Sequence, residues 1–271
     1  MRAGIRAATR LTVERAAGRQ ALRWAHGWPV VLRPTGGDER VHLVHAAGGP
    51  LGDDDLALWV DVGPGARLAV HSAGATLVQP GAGTDAPARW TVELQVGAGA
   101  RVHWAPEPTV VSDKATLEST VRVALATGAV ATVREIVVLG RHGQRGGRYA
   151  GTTHVAVDGV PLLAHTTLLD GADPSLCGPA GTGGARAVGT LVRAGAGVAT
   201  TLSGRRGETP DVRWAWSALD GPGEVLMAVG TPSAVAAVLD AEGRGAEGAE
   251  DGSHGTVAAE PGSLVRAPGG P

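Results

Sequence analysis

Apolar and polar residues alternate with period two through the middle of the chain, the spacing of half-buried β-strands. The stretches "LALWVDV" (Leu56–Val62), "ARLAVHS" (Ala66–Ser72), "RWTVELQV" (Arg89–Val96) and "ARVHWA" (Ala100–Ala105) are short and rich in valine and tryptophan. "STVRVALA", "AVATVREIVVLG" and "GTTHVAVDG" continue the pattern. Three segments, "VDVGPGARLAV", "LQVGAGARVHW" and "VALATGAVATV", each read as strand, glycine turn, strand. Their turns begin near Gly63, Gly97 and Gly128, about 31 to 34 residues apart, within the range of stacked β units. The pattern returns more faintly at "LVRAGAGVATTLSG". Glycine supplies the positive φ of a tight hairpin corner, so the pattern predicts a run of hairpins. No hairpin buries a face alone, and stacking them would build the core. The expected fold is therefore all-β, a β-helix-like or stacked β-hairpin two-layer architecture with one or two short helices.

The best helix signal is "TPSAVAAVLDAEG". Thr231 caps it, Pro232 suits the first helical position, Val235, Val238 and Leu239 share a face, and Gly243 stops it. Beyond Gly243 the chain is rich in glycine and acid with few large apolar residues. The expected organisation is a single β domain over residues 1–242 and a disordered tail over 243–271. "CGPAGTGGARA" (Cys177–Ala187) reads as a flexible loop.

Composition narrows the functional classes. The chain has 271 residues, enough for a sizeable core, and a formal net charge of −2, so no basic excess points to nucleic acid. The single cysteine, Cys177, forbids an internal disulfide, and a reducing compartment, the cytoplasm, is the expectation. No signal peptide and no apolar run of membrane-spanning length is read. With 43 glycines, a lone glycine carries little weight.

Each candidate chemistry meets a geometric test. In "GGPLGDDDL" (Gly48–Leu56) the glycines precede a strand and its acids repel phosphate, which argues against a nucleotide loop. On an extended segment Asp53 and Asp55 face one way and Asp54 the other, so the acids do not converge as metal ligands; an acidic turn before a strand is the plainer reading. His42 and His45 also point to opposite faces of a strand, as do His71 and Ser72, so neither a chelate nor a dyad follows. Cys177 has no neighbour that would lower its pKa. Trp214 and Trp216 share a strand face and serve either the core or, on the surface, a partner anchor. No catalytic constellation is recognised, which favours a binding or scaffold role over an enzyme.

The ordered set "GGPLGDDDL", "GARLAVHSAGATLVQPG", "GARVHWAPEPTVV" and "REIVVLGR" followed by "RYAG" resembles the UreD (UreH) family of urease accessory proteins, most closely over Gly48–Gly151. The resemblance implies a non-enzymatic urease maturation factor with a β-helix-like fold. It implies partners, namely UreF-like and UreG-like accessory proteins and apo-urease, and nickel(II) in transit through an internal tunnel, with no tightly bound cofactor, nucleic acid or membrane.

Mapped onto this chain, the family's GG-x-x-GGD pattern falls on Gly48, Gly49, Gly52 and Asp54, with Asp53 where the family has glycine. Glu135 and Arg141 match its E-I-x-x-x-GR pattern. Pro108 stands at a family glutamate and Glu107 lies one residue early; Gly147 stands where an acid is frequent. The resemblance makes Asp54, Glu107 and Glu135 candidates for weak nickel way-stations, since cargo that must leave is not held in a closed thiolate site. Glu135, in an apolar setting, needs either a water-lined channel or a salt bridge from another strand. Arg134 points away from it, and Arg141 would share its face about 20 Å along an ideal strand. Two other readings stay open: a hydrolase on a β scaffold with a histidine-centred site at His71 or His103, and an adaptor without metal passage.

Overall fold

A computed structural model describes residues 4–251. In chain order the strands are β1 (Arg6–Ala16), β2 (Arg19–Ala25), β3 (Val30–Pro34), β4 (Arg40–His45), β5 (Asp55–Val62) and β6 (Arg67–Ser72). There follow β7 (Thr76–Val78), β8 (Ala88–Val96), β9 (Arg101–Ala105), β10 (Thr109–Val111), β11 (Thr116–Leu125) and β12 (Val130–Leu139). The last are β13 (Arg148–Val157), β14 (Val160–Asp170), β15 (Ala187–Gly195), β16 (Arg206–Glu208), β17 (Val212–Ala218) and β18 (Gly223–Gly230), before helix α1 (Pro232–Asp251). The fold is mainly β, as the periodicity predicts. The segment "CGPAGTGGARA" carries no strand before Ala187, and a short 3-10 turn, Pro174–Cys177, leads into it.

Two sheets face each other. The first has seven strands in the order β14-β13-β11-β8-β5-β1-β2. The second has eleven, with β16-β17-β18-β15-β12-β9-β6-β4-β3 as its main path, β10 beside β12 and β7 beside β10. The glycine turns of the repeat are not hairpins. Each carries the chain from one sheet to the other, so β5, β8, β11 and β13 pair in parallel in the first sheet and β4, β6, β9 and β12 in the second. A strand then bonds to its counterpart one rung away, as in a solenoid. The corners themselves stack: Gly97 N–H donates to the Val62 carbonyl at 2.7 Å, Ala126 to Val96 at 2.9 Å and Asp158 to Leu125 at 2.8 Å. Each corner needs one left-handed residue, supplied by Gly65 (φ 65), Gly99 (φ 64) and Gly128 (φ 77). The counterpart of Gly128 is thus Gly99, not Gly97.

Hairpins occur only outside the repeat. β1–β2, β3–β4 and β13–β14 are antiparallel pairs, the last turning at Asp158–Gly159, both with positive φ. "LVRAGAGVATTLSG" does not form another rung: β15 pairs antiparallel to β12 and no strand follows until β16.

Between the sheets lies the main core, with Leu58, Val60, Leu94, Val102, Trp104 and Val133 among its buried members. α1 covers the outer face of β12, β15 and β18, so β12 and β15 are buried almost throughout. Val235 and Leu239 seat the helix at 0% exposure with Ile136, Val138 and Leu191, and Val238 packs beside them. The helix does not stop at Gly243; it continues to Asp251. The rest of the expected tail, residues 252–271, lies outside the described residues. Among the described residues no helix is long and apolar enough to cross a membrane.

Replacing Leu239 by alanine empties the contact between α1 and β15, and should lower unfolding free energy in urea by about 2–5 kcal/mol. A change below about 0.5 kcal/mol would mean that α1 does not seal the outer face of the second sheet.

Candidate functional site

The segment "GGPLGDDDL" is a structural junction. Its Leu51 bridges Gln79, its Asp53 N–H bonds to Pro87, and its Asp55 N–H bonds to Ile5 at 2.7 Å. Gly49 combines φ 103 with a backbone so close that a Cβ would lie 2.0 Å from the Leu77 oxygen; Gly52 is pressed against Gly81 in the same way. Gly48 is also left-handed, at φ 80. Asp54 is 4% exposed, and both its oxygens accept main-chain hydrogen bonds, from Ile5 N–H at 2.7 Å and Leu51 N–H at 2.9 Å. That carboxylate staples the start of β1 to the junction. Asp53 has φ 75, the left-handed conformation that aspartate tolerates better than most residues. This accounts for its standing at a position where the resembled family has glycine, and its carboxylate also accepts from Gly4 N–H at 3.3 Å.

Glu135 lies elsewhere, between the sheets. β12 turns Val133, Glu135 and Val137 inward and Arg134 outward, where Arg134 pairs with Asp240 of α1 and donates to the Ala105 and Pro106 carbonyls. The Glu135 carboxylate accepts a 2.6 Å hydrogen bond from the Thr153 hydroxyl. It lines a cavity, shared with Tyr149, Gly151, His165, Thr167 and Thr190, with about 20 Å³ open to water centres, room for about one water. Glu135 is half-buried and lines this cavity. Burial pushes its pKa up, and the Thr153 hydrogen bond opposes the shift only in part.

Parallel register extends this polarity across the interior. Ser119 of β11 sits beside Trp90 of β8 on one side and Gly151 of β13 on the other, and Gly151 sits opposite Thr167 of β14. The Tyr149 ring folds over Gly151, where a Cβ would lie 2.1 Å from its hydroxyl, and that hydroxyl bonds to Ser119. Burial first, then the Glu135 charge, push the Tyr149 phenol up. At the far end the Trp90 ring meets His45 edge-on at 5.4 Å. Burial lowers His45 to about 4, and its Nδ1 has no hydrogen-bond partner among the described residues. A polar layer, His45–Ser119–Tyr149–Thr153–Glu135, thus separates the main apolar core from a second cluster of Val78, Val111, Leu117, Val137, Leu139 and Leu169.

The remaining candidates do not join this layer. Glu107 is exposed, in the gap between β9 and β10, and its N–H bonds to the Ser72 hydroxyl. Arg141 lies past the end of β12 with an exposed side chain; its carbonyl accepts from Arg186, and it makes no salt bridge to Glu135. Gly147 is buried, and a Cβ there would lie 2.0 Å from the Ala115 oxygen, so no acid fits on this backbone. Trp216 is 2% exposed beneath α1, its indole N–H donating to Glu242, so it belongs to the core; Trp214 is half-buried under Arg205. Ser72 faces inward and donates to the Gly74 carbonyl, and His71 faces outward between His42 and His103, so they form no dyad. Cys177 is exposed. Among the described residues no three His, Cys, Asp or Glu side chains are arranged to hold a metal ion. Ser119, Tyr149, Thr153 and His45 were not singled out as site residues in the sequence. The available signal was small polar residues at inward positions of valine-rich strands.

These features define a parallel β-solenoid scaffold of two sheets with a polar, ionisable layer through its interior and no closed metal cage among the described residues. The chain matches the family described as UreD urease accessory protein over residues 6–239, and it belongs to that family. It is similar to proteins named urease accessory protein UreD from Frankia alni (43% identity, 56% of each chain) and Frankia casuarinae (40%, 64% of this chain and 57% of the relative). A third, from Streptomyces coelicolor, is 41% identical over 64% of this chain and 69% of its own. The match spans a little over half the length of the two Frankia relatives.

The raised Glu135 pKa has a stability consequence with a fixed sign. Its charged form is disfavoured in the fold, so stability falls as pH rises above the ordinary carboxylate value of 4.5. Glu135→Gln removes that loss. Its melting temperature should exceed that of the unsubstituted protein near about pH 7.5 and converge with it near about pH 4. Equal melting at both would place the carboxylate in bulk-like water.

Proposed function

We propose that this protein is a urease maturation factor, a non-catalytic scaffold that docks UreF-like and UreG-like partners onto apo-urease and helps deliver nickel(II) to the urease active site. Membership of the UreD family supports the maturation role. The observation that carries nickel passage is the interior layer, where a carboxylate, hydroxyls and imidazoles sit inside an apolar β scaffold. Burying such groups is unfavourable unless they are hydrogen-bonded or wetted, and packing alone gives no reason to place an unpaired acid there. Carboxylate and imidazole donors bind nickel(II), and an incomplete ligand set releases it. Glu135 and His165, which line the same cavity, are the first pair of way-stations. Asp54 is less suited, since both its oxygens are engaged by main-chain donors, and Glu107 lies outside the layer. Nickel is cargo here, and the protein keeps none.

Replacing Glu135 by leucine separates passage from pure adaptation. Complexes with the accessory partners and apo-urease should still form, and the nickel content of urease activated with the variant should fall at least about tenfold, the loss of one charged ligand. Normal nickel loading would leave the adaptor reading standing. Full urease activity in a strain lacking the gene would remove the maturation role altogether.

A further inference from the structure

α1 covers only half of the outer face of the second sheet. On the open half, three adjacent parallel strands each carry an outward arginine and histidine: Arg40 and His42 on β4, Arg67 and His71 on β6, Arg101 and His103 on β9. Arg67 is in register with Arg101, and His42 with His71. The imidazoles stack in a row, with ring centroids 5.6 Å and 5.7 Å apart. Arg33 extends the row onto β3 opposite His42. The four arginines are exposed, and Arg40, Arg67, Arg101 and His103 line a groove of about 360 Å³ whose one acid is Glu39. Arg40 and Arg67 form no ion pair among the described residues. Beyond burial, the charges of His103, His42 and Arg40 hold the His71 pKa down.

We propose that this strip, β4–β6–β9, docks an acidic α-helix of a partner protein, laid beside α1. The proposal goes beyond the maturation role and rests on it only in expecting a protein partner. Two observations fix the occupant. The same sheet face already holds a helix through a strand arginine and a helix aspartate, Arg134 of β12 with Asp240 of α1, and β12 adjoins β9. The rungs repeat across the sheet at about 4.8 Å, close to the ~5–6 Å between acids at i and i+3 or i+4 on a helix. Positive charge on the strip meets negative charge on such a helix, rung by rung.

The probe is a labelled alanine-based helical peptide with glutamates at i and i+4, titrated into the full chain at low salt and read by fluorescence anisotropy. Saturable binding is expected, at least about tenfold weaker for Arg40→Glu with Arg67→Glu, weaker to a lesser degree for the two glutamine variants, and unchanged for Arg23→Glu on the other sheet. No binding by the unsubstituted protein, or equal affinity in the double variant, overturns the proposal. So does equal binding of a proline-broken peptide of the same charge, or competition by inorganic phosphate at matched ionic strength that abolishes binding, since either shows a site for anions in general. This readout involves no urease, so failure of urease activation in cells with peptide binding intact would count against the maturation role alone.

Discussion

Everything in this molecule depends on in-register parallel stacking of successive rungs. A corner that sends the chain across to the opposite sheet leaves each strand's backbone donors and acceptors without a partner in its own rung. They are satisfied by the next rung, so β5, β8 and β11 must lie level, and so must β6, β9 and β12. Level strands place side chains of equal position in rows. One row inside the sandwich becomes Trp90, Ser119, Gly151 and Thr167; one row outside becomes Arg67 and Arg101. A single geometric constraint therefore yields both the interior polar layer and the cationic strip.

The energetic layout follows. Apolar burial is divided into a large cluster below the layer and a smaller one above it, with a third under α1. The clusters supply the folding free energy that tolerates Glu135, Tyr149 and His45 between the sheets. The protonation of two of these groups is displaced in opposite senses for one reason. Burial disfavours charge, which raises the Glu135 pKa and lowers that of His45, so both sit closer to neutrality than they would in water. α1 closes the outer face where β12 and β15 would otherwise expose apolar rows. Its last turns run on past Gly243, because a glycine inside a packed helix loses only about 1 kcal/mol relative to alanine.

Much of this was readable in the sequence. Period-two alternation located β5, β6, β8, β9, β11, β12 and β13, and the glycine turns marked the repeat. The turns were misread as hairpins because a positive-φ glycine signals a sharp corner in either case, and only the partner across the ladder distinguishes the two. The first three strands escaped notice, since arginine and threonine on the outer face of β1 mask the inward Leu11 and Val13. Glu135 stood out as an acid in an apolar run, and the channel and salt-bridge readings were both open; its partner proved to be a hydroxyl, Thr153, eighteen residues away. Asp54 was legible as a turn and not as the acceptor that staples β1, because Ile5, whose N–H it accepts, is far off in the chain. His45 was set aside as a strand histidine; that its strand faces Trp90 is information carried by the pairing of sheets, not by any local pattern.

Nickel passage as proposed requires ligands inside an apolar sandwich, and the polar layer is the part of this scaffold that the proposal assigns to that task. The most direct test changes polarity while preserving shape. Thr153→Val with Thr190→Val keeps the volume at the cavity that Glu135 lines and removes two hydroxyls. Nickel bound per urease, measured by elemental analysis after activation with this variant, should fall sharply with the fold and the partner complexes intact. Urease loaded with nickel as fully as by the unsubstituted protein would contradict the account.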